Sequence, residues 1–298
     1  MTKFLQLTFS GIALGSIYAL VGLGFVVIYR ATGIINFAQG GFVLLGAYLT
    51  YSFVDTWGLP FYLGVALAMV VAAAVGVLLE RLVLRRMLGR PPYAIIMITI
   101  GIFIVIQQVV QAVWGVQDLF RTDPYGSKTI EVGNVTLAHR DLATIAAALL
   151  VLAAFFVFFR YTRWGVAMRA TALDQEAAQA QGISAARVFA LSWGIAAAVA
   201  VVAGVMLTAG GRPLNLVVGL VALRAFPAII LGGLESPGGA VVGGIVIGLA
   251  EIYGAGYLPT SAPWLGSGFE LVLPYVIMLI VLLVRPYGLF GSREVRRV

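Results

Sequence analysis

Apolar runs long enough to cross a bilayer recur along the whole chain, at Phe4 to Tyr29, Phe37 to Phe53, Leu59 to Leu79, Tyr93 to Trp114, Leu142 to Phe159, Val188 to Ala209, Gly239 to Tyr257 and Phe269 to Val284. A helix needs about 20 such residues to span the hydrocarbon core. Lipid offers no hydrogen bonds to an open backbone, so the fold is restricted to helices that satisfy their own peptide groups or to a closed barrel. Runs this long and continuous lack the period-2 alternation of a barrel. The expected fold is therefore all-α, a polytopic transmembrane helix bundle of about eight to nine spans, some broken or re-entrant. A further run, Val217 to Gly233, holds Arg224 and Pro227 and is the uncertain crossing. Residues 1–298 read as a single membrane domain, and the N-terminal run is too long for a signal-peptide core.

Charge sets the expected orientation, because Lys and Arg in short loops stay on the cytoplasmic side. The arginines cluster at Arg81, Arg85, Arg86 and Arg90, at Arg160, Arg163, Arg169 and Arg187, and at Arg285, Arg293, Arg296 and Arg297. All three groups are assigned inside. The loop 115–140 then lies outside, with Asp118, Asp123 and Glu131, and Asp141 just beyond it. Three crossings after Val188 to Ala209 bring the C-terminus inside, so Val217 to Gly233 is expected to cross. The N-terminus falls outside, with Lys3 weakly opposed. The net charge of +7 is accounted for by these juxtamembrane arginines, which suit contact with anionic lipid rather than nucleic acid.

Several chemistries are excluded. There are no cysteines, and lysine occurs only at Lys3 and Lys128, so the Gly-Lys-Ser/Thr core of a Walker A motif is absent. His139 is the single histidine and sits in the external loop, where it reads as a surface residue. Asn134-Val-Thr136 matches a glycosylation sequon too short to inform. No metal or nucleophile constellation supports a membrane enzyme.

Three features stand out against the apolar background. The first is the polar insert 160–187. Thr171 followed by Asp174 reads as a capping box and Gly182 as a left-handed stop, predicting one surface helix from Thr171 to Gly182. The second is a pair of Gly-rich polar interruptions, Gly33-Ile-Ile-Asn36-Phe37-Ala-Gln39-Gly40-Gly41 and Leu231-Gly232-Gly233-Leu-Glu235-Ser236-Pro237-Gly238-Gly239. Paired interruptions in the two halves of a transporter point to its pathway; ordinary cytoplasmic turns are the competing reading. The third is Glu251, the most deeply placed charge in a span, suited either to a structural hydrogen bond or to the pathway. Glu270 and Arg224 are placed nearer their span ends, within snorkelling reach. The pairs Gly11 and Gly15, Gly239 and Gly243, and Gly244 and Gly248 predict close helix packing.

Taken with these residues, the chain resembles the permease subunits of bacterial ABC importers for branched-chain amino acids, the LivH/LivM permease family and its LivH type. The resemblance rests on Gly11-Ile-Ala-Leu-Gly-Ser-Ile-Tyr-Ala-Leu20, Gly33 through Gly40, Leu45-Gly-Ala-Tyr48, Gly165-Val-Ala-Met-Arg-Ala170, Glu176-Ala-Ala178 with Gly182-Ile183, Ala225 through Gly233, and Gly248-Leu-Ala-Glu251. It departs where the family often carries His before Gly-Glu and this chain has Gln39-Gly40-Gly41, and where Glu235 introduces an acid.

The resemblance implies that residues 160–187 form the cytoplasmic coupling loop, with Arg169, Thr171, Asp174, Glu176, Ala177, Ala178, Gly182 and Ile183 facing or shaping the ATPase contact. Asn36, Phe37, Gln39, Gly40, Gly232, Gly233 and Glu251 are the pathway residues expected from the two interruptions and the in-span charge. The implied assembly is a second LivH- or LivM-type permease, two ATP-binding subunits and an extracytoplasmic binding protein in the bacterial inner membrane. ATP and magnesium are used by those partners, and no cofactor is bound here. Urea or short amides are alternative cargoes within the family; an ion-driven transporter or channel using Glu251 or Glu235 is the alternative outside it.

Overall fold

The computed structural model describes residues 2–87, 90–126, 128–133, 135–266 and 268–291. Arg293, Arg296 and Arg297 of the basic tail, and Asn134 of the sequon, lie outside the described residues. Among the described residues eleven α-helices run in chain order as α1 Thr2–Thr32, α2 Gln39–Tyr51, α3 Phe61–Leu82, α4 Pro92–Trp114, α5 His139–Tyr161, α6 Arg163–Leu173, α7 Gln175–Ala180, α8 Ala185–Leu207, α9 Val221–Gly232, α10 Pro237–Ser261 and α11 Leu273–Val284. A hairpin of β1 Thr129–Val132 and β2 Val135–Ala138 pairs Thr129 with Ala138 and Val132 with Val135. Sequence reading took this stretch as plain loop.

Among the described residues six helices, α1, α3, α4, α5, α8 and α10, are long and apolar enough to cross a membrane. Their environments differ sharply. The most apolar windows of α1 and α8 are 89% and 83% buried, against 22% to 33% for the other four. Thus α1 and α8 form the core, α1 packing on α10 and α8, and α3 on α8. The outer helices turn bare apolar side chains outward, such as Val105, Leu149 and Leu150. Water would penalise an apolar surface of this extent, whereas lipid is its natural solvent. The protein is a multi-pass membrane protein.

Contacts fix the direction of each helix. At the near end, where α1 starts, Lys3 Nζ donates to the Gly256 carbonyl at 2.6 Å and Ser10 Oγ to Asp141 at 2.9 Å. At the far end, where α1 stops, Arg85 donates to the Ala186 carbonyl at 3.1 Å and Leu289 N–H to Leu231 at 2.8 Å. The near end is tied by its loops: Leu119 bridges Leu214, Asp123 accepts from Gly210 N–H at 2.7 Å, and buried Arg121 donates to the Val205 carbonyl at 2.8 Å. Burial pushes the Arg121 guanidinium below its usual value, while Asp123 and Asp55 pull the other way.

Two of the expected spans are built differently. The run from Phe37 starts its helix only at Gln39 and ends in a π-helical turn, Ser52–Thr56. The run from Val217 becomes a 3₁₀ turn, Leu216–Leu220, followed by the 12-residue α9. Pro227 inside α9 removes one backbone donor and limits a longer helix there.

Packing without a hydrophobic driving force depends on close approach, which small residues allow. The glycines at 11, 15, 244 and 248 line a seam between α1 and α10. A Cβ on Gly15 would fall 2.7 Å from the Gly244 carbonyl oxygen, and a backbone atom cannot yield. Gly15→Val should therefore lose about 1–3 kcal/mol or more by overpacking. Gly101→Ala, with nothing within 4 Å, should gain about 0.5–1 kcal/mol from helix propensity. Thermal unfolding in detergent checks both; equal midpoints for the two variants would contradict the seam.

Candidate functional site

The polar insert forms at the far end from two helices rather than one. Thr162 caps the first: its Oγ1 accepts from Gly165 N–H at 3.0 Å, and α6 starts at Arg163. Because α6 is already under way, Thr171 is an interior residue. Its hydroxyl donates back to the Ala167 carbonyl at 2.9 Å and is buried. The expected single helix capped by Thr171 is thus corrected. Asp174 supplies the cap instead, with extended φ of −155° and Oδ1 accepting from Ala177 N–H at 2.9 Å.

The stop is a Schellman motif. Gly182 takes φ +81°, its N–H donates to Gln179 at 2.9 Å, and Ile183 N–H to Ala178 at 3.0 Å. Ala178 points inward while Glu176 and Ala177 are exposed, and Leu173 at the helix junction is 88% exposed. Arg169 anchors α6 to α5, donating to the Phe159 carbonyl and lying over the Phe159 ring, which Arg30 of α1 also faces. The insert borders a cavity of about 690 Å³ lined by Arg30, Thr171, Leu173, Gln175, Glu235 and Ser236. The first interruption starts beside it at Gly33, and the second passes it at Glu235, Ser236 and Pro237.

The first interruption dips back into the bundle. Gln39 reaches the level of Gly24, where a Cβ would meet its amide group. That is eight residues before α1 ends, about 12 Å at 1.5 Å per residue. Asn36 Oδ1 accepts from Ala38 N–H at 3.0 Å, Phe37 N–H donates to Thr99 Oγ1 at 3.1 Å, and Gln39 Nε2 donates to the Ala196 carbonyl of α8 at 3.3 Å. Asn36 Nδ2 and Gln39 Oε1 are buried and find no partner among the described residues. Phe37 stacks on Phe226 of α9 with ring centres 5.8 Å apart. The backbones of Gly40 and Gly219 meet with no room for a side chain. Two helix beginnings, those of α2 and α9, thus converge inside the bundle, and their N-terminal ends carry positive dipole character.

The remaining expected pathway residues lie elsewhere. Gly232 packs its backbone against Gly239, and Gly233, at φ +98°, packs against Gly291, both at the far end. Glu251 is buried on α10 and accepts a hydrogen bond from Tyr18 at 2.6 Å. The structure joins Asn36, Phe37, Gln39 and Gly40 into one cluster and separates the other three from it. Thr99, Gly219 and Phe226 join that cluster without having been singled out from sequence. Their signal was weak: a threonine in an apolar run and a glycine before a charged, proline-containing helix.

A buried core helix, helix starts that meet at depth, and a capped insert at one end define a polytopic helical membrane protein with interrupted spans. The pattern of the family described as the branched-chain amino acid transport system permease component matches residues 7–282, and the chain belongs to this family. It is 33% identical to the high-affinity branched-chain amino acid transport system permease protein LivH of Escherichia coli K12, over 99% of this chain and 98% of that one. It is 30% identical to BraD of Pseudomonas aeruginosa, named for the same transport system, over 99% and 98%. The probable LivH of Methanocaldococcus jannaschii is 28% identical over 93% and 89%. Among solved structures, PsaBC from Streptococcus pneumoniae in complex with Fab matches with a TM-score of 0.50 and 16% identity, covering 97% of this chain and 94% of that one, a likeness of fold alone.

Proposed function

We propose that this chain is the membrane-spanning permease subunit of an ABC importer for branched-chain amino acids, working by alternating access. The observation that carries the reading is the near-full-length relationship to permeases named for that transport. A second permease of the same type completes the path, two ATPase subunits dock at the insert, and an external binding protein delivers solute. ATP and magnesium act in the ATPases, and this chain binds no cofactor. The far end, holding Arg81, Arg85, Arg86, Arg163 and Arg169, faces the cytoplasm by the positive-inside rule. The N-terminus is then outside.

The docking residues are those around α7, with Leu173 and Glu176 offered to the ATPase and Gly182 and Asp174 holding the helix ends. A push on α7 reaches two places. Arg169 carries it to α5, and the turn at Gly182 and Ile183 carries it directly into the core helix α8. There the Ala196 carbonyl holds Gln39, so movement of α8 acts on the convergence of α2 and α9. This is a rigid-body route between two packed arrangements.

A complete importer assembled on this chain should accumulate radiolabelled leucine, with excess isoleucine or valine competing. Accumulation of urea or short amides with no leucine uptake would assign the scaffold to another cargo.

A further inference from the structure

A second cavity, of about 320 Å³, lies between α1, the near-end loop and the start of α9, and Val217 and Arg224 of its lining are exposed. Its apolar wall includes Leu207, Val217 and Val221, and its polar side chains are Tyr18, Arg212, Asn215 and Arg224. Tyr18 lies at the midpoint of α1, and Arg224 is the fourth residue of α9. Arg224 is therefore at mid-depth, not near a span end as its sequence position implied. A guanidinium at this depth is costly unless it serves a polar path or a bound anion. Among the described residues no carboxylate lies within ion-pair distance of it. Glu251 of α10 is already engaged by the Tyr18 hydroxyl at 2.6 Å, and the hydroxyl oxygen that donates there can still accept.

The remaining fields at the cavity reinforce one another. Arg212 shares the cavity lining with Arg224, and burial and neighbouring Arg140 push its guanidinium below the usual value, with Asp141 opposing. An arriving anion relieves that strain on the charged form. Asn215 Oδ1 accepts from Val217 N–H at 3.1 Å, capping the 3₁₀ turn that runs into α9, and both residues line the cavity.

We propose that this cavity is a station on the import path that grips the α-carboxylate of the passing amino acid, with Arg224 as principal ligand and Arg212 as the entry ligand. The aliphatic side chain rests on Leu207, Val217 and Val221, and the Tyr18 oxygen accepts from the ammonium group. The proposal rests on the amino-acid importer reading above and names the group recognised within it.

The test uses the complete importer in proteoliposomes with saturating, leucine-loaded binding protein, comparing R224Q and R224K with the unaltered protein. R224Q should lower leucine uptake by roughly 10–100-fold, the equivalent of one charge-assisted hydrogen-bond set. Stimulated ATP hydrolysis should continue, so ATP consumed per leucine rises, and R224K should recover part of the uptake. Uptake and stoichiometry unchanged in R224Q would overturn the proposal, as would a loss in which R224K is no better than R224Q. Should R224Q fail to assemble, R212Q reads the same cavity from outside the helix: a raised ATP-to-leucine ratio supports the station and an unchanged one overturns it. If the unaltered importer moves no amino acid, the functional reading itself falls, an outcome distinct from an indifferent R224Q.

Discussion

The double variant Asp174→Ala with Gly182→Val should cut ATP-driven uptake by at least about tenfold while leaving the membrane bundle folded. The helix α7 has only six residues, far below the length at which a helix stands alone in water. It persists because both ends are fixed. Loss of the Asp174 cap costs about 1 kcal/mol, and a β-branched residue forced to φ +81° costs about 1–2 kcal/mol more. Together these exceed what two turns can hold. The core helix α8 starts only at Ala185 and is packed on α1, α2 and α3, so it stays intact. Measured in the reconstituted importer, uptake should collapse while the chain's thermal midpoint moves little. Undiminished uptake would remove α7 from the coupling route.

The second large effect is expected at the convergence of helix starts. Gly40→Val should abolish uptake and lose about 3 kcal/mol, the upper end of overpacking penalties. The new side chain would strike the Gly219 carbonyl, on the turn that leads into α9, and come within 3.0 Å of the methyl of Ala222, in the first turn of α9. Neither can move without withdrawing α9 from α2, which also breaks the Phe37 and Phe226 stack. Gly33→Ala is the control. Gly33 has φ +70° but open space around it, so its loss is confined to local backbone strain of about 1–2 kcal/mol. Unfolding midpoints and uptake, measured on both variants, check the contrast; equal behaviour would show that the backbone contact at Gly40 is not what holds the junction.

Much of the architecture was readable because lipid imposes a single rule on long apolar runs, and runs such as Tyr93 to Trp114 match their helices within a residue at each end. The glycine seam was readable for the same reason, since spacing by four places glycines on one face. Three things were not. The Thr171 and Asp174 pattern satisfied the spacing of a capping box, yet an earlier cap at Thr162 had already begun the helix, so the hydroxyl turned to Ala167. The hairpin at 129–138 alternates over only four residues per strand, Thr-Ile-Glu-Val and Val-Thr-Leu-Ala, too short a run to stand above its surroundings. The depth of Gln39 and Arg224 depends on which level of α1 they meet, and that is set by tertiary packing alone. Linear position put Arg224 near a span end, while the break before α9 placed it midway along the bundle.

The central claim is that this chain is a path moved by ATPases rather than a self-sufficient transporter, and flux through liposomes tests it most directly. The purified chain alone, under proton or sodium gradients, should carry no leucine above protein-free vesicles. Adding the partner permease, both ATPases, loaded binding protein and ATP should start uptake. Robust gradient-driven leucine uptake by the chain alone would contradict the account.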